Sequence, residues 1–135
     1  MNLFLAELAL GLGGAGQMAD GLVVVDRALT RAEQTESAGH LAELLRTRGE
    51  LLLLGREPTA AVTAEQCFQQ ALDMARRQGA LSLELRAATS LARLWREQQR
   101  VSQARKLLAP VYRRFTEGFE TADLVAARTL LASVR

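Results

Sequence analysis

The stretch TAEQCFQQALDMARRQGALSLELRAATSLARLWREQQRVSQARKLL, residues 63–108, decides the fold. Its opening places Ala64, Phe68 and Ala71 four and three positions apart, which is one face of a helix. Gln78-Gly79 interrupts that pattern, and in the helix that follows Leu91, Ala92 and Trp95 form the apolar set. After a second break around Arg100-Val101, Ala104, Leu108 and Val111 repeat the spacing of a small residue and two bulky ones. A small side chain lets a neighbouring helix approach, and a bulky one a turn away fills the gap beside it. Repeating that arrangement stacks helical hairpins side by side.

Outward from this stretch the apolar periodicity stays helical. Helices are predicted near 2–13, 18–35, 39–54, 60–78, 81–99, 102–116 and 121–134, with breaks made of glycine, proline or short polar clusters. Ser102 and Thr121 are the expected N-caps, and Pro110 is expected to kink its helix by removing the hydrogen bond to the Lys106 carbonyl. Six helices pair into hairpins at about 2–35, 39–78 and 81–116, and a last helix at about 121–134 closes the series. The set Ala64, Phe68, Ala71 has counterparts in Gly21, Val25, Ala28 and in Ala104, Leu108, Val111, at intervals of 43 and 40 residues. The first helices carry Leu5, Leu8 and Ala9, then Leu45, Gly49 and Leu52, then Leu91, Ala92 and Trp95.

A small residue, an aromatic and another small residue on the second helix of a hairpin is the tetratricopeptide pattern, and the chain resembles that family over nearly its whole length. These repeats are longer than the usual period of about 34 residues. The resemblance implies one all-α domain over 1–135, a right-handed stack of about three hairpins plus a C-terminal capping helix. Repeat-packing residues are then Ala64, Phe68, Ala71, Leu91, Ala92, Trp95, Ala104 and Leu108. A narrower likeness rests on LARLWREQ, LLAPVY and FTEGFETADL. These resemble the C-terminal helical-repeat region of large bacterial signalling proteins that join a nucleotide-cyclase or DNA-binding output to a switch ATPase. On that likeness the chain is a regulatory or scaffold part of a larger protein. It carries no phosphate-cradling Gly-rich loop with Lys-Ser/Thr.

Composition points the same way. The 135 residues are 49% hydrophobic and 24% charged, with 4% aromatic, one Cys and one His. That balance suits a globular helical domain and excludes an internal disulfide and a histidine-rich metal site. No cofactor or metal is expected, and no enzymatic activity. The apolar start from Asn2 to Leu12 falls short of the roughly 20 residues of a membrane span, so a cytoplasmic location is expected. Leu3, Phe4, Leu8 and Leu10 leave the first helix apolar nearly all round, which calls for a cover: a preceding repeat or a second copy of the chain. The last helix places Leu124, Ala127, Leu131 and Val134 on one stripe, as a cap requires.

In tetratricopeptide stacks the first helices line a concave, partner-binding surface. Matched to that pattern, Arg86, Thr89, Arg93 and Arg96 face the groove beside Glu43, Arg46 and Glu50, with Arg100 on the same side. Guanidinium groups clamp carboxylates in a fork, so an acidic peptide or protein is the expected partner. The plainer account is a solvated arginine face. Changing Arg86, Arg93 and Arg96 to Glu is expected to weaken such a partner and spare the fold. A homodimer through the apolar first helix is the alternative. Nucleic-acid binding ranks lower: residues 76–114 hold ten Lys/Arg against Glu84 and Glu97, yet no stacking aromatic or recognition helix accompanies them. Cys67 reads as a small buried hydrophobe, His40 as a partly exposed residue at a helix start, and Asp123 as a favourable charge at a helix N-terminus.

Overall fold

The computed structural model describes residues 18–35, 38–55, 57 and 59–134. Within them the chain forms six helices and no strand: α1 (Met18–Thr35), α2 (Ala38–Leu54), α3 (Ala60–Gln78), α4 (Leu81–Glu97), α5 (Val101–Arg113) and α6 (Ala122–Ser133). The helix expected over 2–13, with Leu3, Phe4, Leu8 and Leu10, lies outside the described residues.

Helix α3 follows its sequence closely. Ala64, Cys67, Phe68, Ala71, Leu72 and Ala75 are buried along one stripe. It stops at Gly79, whose φ of +65° is the left-handed conformation glycine adopts freely. The Gly79 and Ala80 amides donate to the Arg76 and Ala75 carbonyls, which closes the helix end. The end of α4 repeats this geometry without glycine: Gln99 has φ +67°, and the Gln99 and Arg100 amides donate to the Arg96 and Trp95 carbonyls. That reversal ends α4 two residues before the expected boundary. It also carries Arg100 off the α4 face, so Arg100 does not join Arg86, Arg93 and Arg96. Its guanidinium lies 4.6 Å from the Trp95 ring centroid and pairs with Glu65 at 2.9 Å.

Two further expectations change. Ser102 is not a cap, because α5 begins one residue before it, after Arg100. Thr121 does sit at the start of α6, though its hydroxyl makes no capping hydrogen bond. Helix α5 runs through Pro110 and ends at Arg113, where the Phe115 amide turns back to the Tyr112 carbonyl at 3.2 Å. The turn lets Phe115 pack against the core.

Each helix packs on the next in sequence, and further contacts join α2 to α4 and α4 to α6. Among the described residues α3 approaches neither α1 nor α5. Helix α4 therefore touches four neighbours, which explains its run of small residues. Ala87, Ala88, Ser90 and Ala92 are all buried there, and larger side chains would hold the neighbours apart. The main core extends over α3 to α6. Helix α1 is held on α2 by two smaller clusters, Ala28 with Leu44 and Val25 with Leu51. At the α2–α3 crossing a Cβ built on Gly49 would lie 2.5 Å from Phe68 Cε1, so glycine is what allows the ring to approach the helix this closely.

Candidate functional site

Because α2, α4 and α6 are neighbours, side chains on their shared face meet across the helices. Glu43 is 4% exposed and accepts three hydrogen bonds from Arg46 one turn away, the shortest 2.6 Å from Nη2. Arg46 Nη1 also donates to Ser90 Oγ on α4 at 3.3 Å. From α4, Arg86 Nη1 donates to Glu43 Oε1 at 3.2 Å, and its Nε donates to Asp123 Oδ2 on α6 at 2.8 Å. Burial opposes the charge on Arg86, but the bond to Asp123 and the adjoining Glu43 and Asp123 carboxylates outweigh it and raise its pKa. Farther along, Arg93 stands 3.7 Å from Glu50, and Arg96 Nη1 donates to Ser133 Oγ at 3.0 Å.

These contacts form rows that run across the helices. Arg86 and Glu43 are 43 residues apart, as are Arg93 and Glu50. Arg86 to Asp123 and Arg96 to Ser133 each span 37 residues. In the row of Glu43, Arg86 and Asp123, acid, base and acid alternate across α2, α4 and α6; the other rows pair α4 with one neighbour each. Of the residues expected on one groove face, Glu43, Arg46, Glu50, Arg86, Arg93 and Arg96 meet in this set. Thr89 does not: it is buried and its hydroxyl donates to the Leu85 carbonyl at 2.7 Å.

The rows change one expectation. Arg86 is not a surplus cation waiting for a partner but the middle member of a three-helix ion pair. Reversing its charge would crowd three carboxylates together, so Arg86→Glu would damage the fold. Asp123 is likewise held by Arg86, beyond its position near a helix N-terminus. The interval of 43 with opposite charges at Glu43/Arg86 and Glu50/Arg93 was the signal in the sequence for these rows.

Beside the rows, a cleft of about 210 Å3 lies between α2 and α4. Leu53, Leu54 and Leu94 supply its apolar wall, and Glu50, Arg93 and Glu97 stand at its edge. Leu54 is 48% exposed, one of the larger apolar side chains open to water.

The packing residues occupy other surfaces of the helices. Ala64, Phe68, Ala71, Leu91, Ala92, Ala104 and Leu108 are buried in the main core. Trp95 is half-buried and its Nε1–H donates to Glu65 Oε1 at 3.0 Å. Cys67 is buried, and Arg48 Nη1 stands 3.3 Å from its Sγ while Arg48 Nε reaches Asp26. The contact with Cys67 raises the Arg48 pKa; burial lowers it, and the Asp26 carboxylate adds to the rise. A second buried carboxylate escaped the sequence reading: Glu84 is clamped by Arg76 at 3.3 Å and Arg114 at 3.0 Å. Among the described residues no group of three or more His, Cys, Asp and Glu is placed to hold a metal ion. None of the described helices is long and apolar enough to cross a membrane. No protein-family model matches the chain, and no curated protein matches it significantly.

Proposed function

We propose that the chain is a non-catalytic helical-repeat scaffold of the tetratricopeptide kind, which binds a segment of another protein on the face shared by α2, α4 and α6. The contact order supports stacked hairpins: α2 with α3, then α4 with α5, then α6, with α2, α4 and α6 side by side and α3 apart from α5. The observation that carries the binding reading is the cleft at Leu53, Leu54 and Leu94, which leaves an apolar wall open beside an otherwise ion-paired face. An apolar anchor of a partner peptide would enter the cleft, and the charged edge would set its register. A regulatory role within a larger signalling protein is part of the same proposal.

Panning random displayed peptides against the purified chain tests this reading. Peptides sharing an apolar anchor should be enriched, and Leu54→Asp should weaken them about ten-fold or more. Val62→Asp, at an exposed position on α3, should leave them unaffected. Enrichment of no sequence, or equal binding to the Leu54→Asp variant, would remove the groove.

A further inference from the structure

The cleft at Leu53, Leu54 and Leu94 lies where two helices end. Glu43 meets Arg86, and one stretch farther along Glu50 meets Arg93, so α2 and α4 run parallel. Their C-termini therefore open at the same end of the shared face. Leu53 and Leu54 are the last residues of α2, and Glu97 is the last of α4. A helix C-terminus carries about half a negative charge. The last turn of α2 holds no basic residue to offset it. In α4 that residue is Arg96, which is drawn aside to Ser133 on α6.

The side chains around the cleft have the same sign. Glu50 and Arg93 offset each other at 3.7 Å. Glu97 is exposed and, among the described residues, has no ion-pair partner. Arg56 and Glu57, which follow α2 in sequence, carry opposite charges. The mouth of the cleft is thus negative on a chain whose net charge is +2. Arg86, which in the sequence suggests an acidic partner, is taken up by Glu43 and Asp123.

We infer that the segment bound in this cleft carries a lysine or arginine beside its apolar anchor. The inference rests on the reading of the cleft as a peptide groove and names the chemistry of what fills it. The anchor lies against Leu53, Leu54 and Leu94, and the cation stands toward Glu97 and the end of α2. Charges at a solvated rim set preference more than affinity, so the apolar contact holds the peptide and the charge selects it. An acidic segment with the same anchor is repelled by Glu97 and by both helix ends.

Three displayed-peptide libraries, identical except for Lys, Gln or Glu on both sides of a fixed Leu, test this inference on the full chain. Lys-flanked peptides should be recovered about ten-fold over Glu-flanked ones, with Gln between them, and high salt should narrow the gap. Glu97→Lys puts a cation in the last turn of a helix, where the dipole favours it, so the fold is kept and the gap should close to about two-fold or less. Equal recovery of the Lys and Glu libraries would overturn the inference, as would a Lys preference undiminished in Glu97→Lys. Peptides that depend on Leu54 but favour no basic flank would overturn it while leaving the groove standing. Recovery that ignores Leu54→Asp in all three libraries would remove the groove as well.

Discussion

Two single positions show how local geometry and helix propensity oppose each other. Alanine is the better helix former, and by propensity alone Gly49→Ala would add about 1 kcal/mol. The added Cβ would meet the Phe68 ring, which is fully buried. We therefore expect Gly49→Ala to cost about 1–3 kcal/mol in chemical denaturation, and the cost to shrink in a Phe68→Leu background. An additive pair would show that the ring does not rest on Gly49. Gln99 is the opposite case. Its left-handed φ of +67° is unfavourable for a residue with a side chain. Gln99→Gly should stabilise the chain by about 1 kcal/mol, read as a rise in the denaturation midpoint, and an unchanged midpoint would argue against that backbone conformation.

At the scale of elements, the helix faces were legible and the ion pairs that join them were not. The spacing of Ala64, Phe68 and Ala71 marks the buried side of α3 without knowledge of what covers it. The Arg86 side of α4 reads equally well as a solvated face or a binding face, because charge pattern alone does not say which acids stand opposite. Packing α4 between α2 and α6 brings Glu43 and Asp123 to Arg86. Arg86→Ala should thus cost about 1–3 kcal/mol, and a double-mutant cycle with Glu43→Gln should return a coupling of about 1 kcal/mol. Zero coupling would mean that Arg86 is a surface cation after all. The break expected around Arg100-Val101 does separate α4 from α5, but periodicity carries α4 two residues too far on paper, through left-handed Gln99, where the chain reverses.

Over the whole molecule, stability should fall off toward α1. The α3–α6 core is continuous, while among the described residues α1 rests on α2 alone, through two small clusters and the Arg48–Asp26 pair. Stacked helices lose outer members before inner ones. Amides of α1 should accordingly exchange with solvent faster than those of α4, and Leu51→Ala should speed α1 exchange while leaving α4 protected. Uniform protection from α1 to α6 would instead indicate one cooperative unit. The helical class, the main breaks and the buried stripes were set by composition and by 3.6-residue spacing, because both act within a few residues along the chain. Which carboxylate meets which guanidinium, and where an apolar cleft stays open, was decided only when α2, α4 and α6 came together. Those contacts join residues 37 and 43 positions apart, and their energies depend on distance in space.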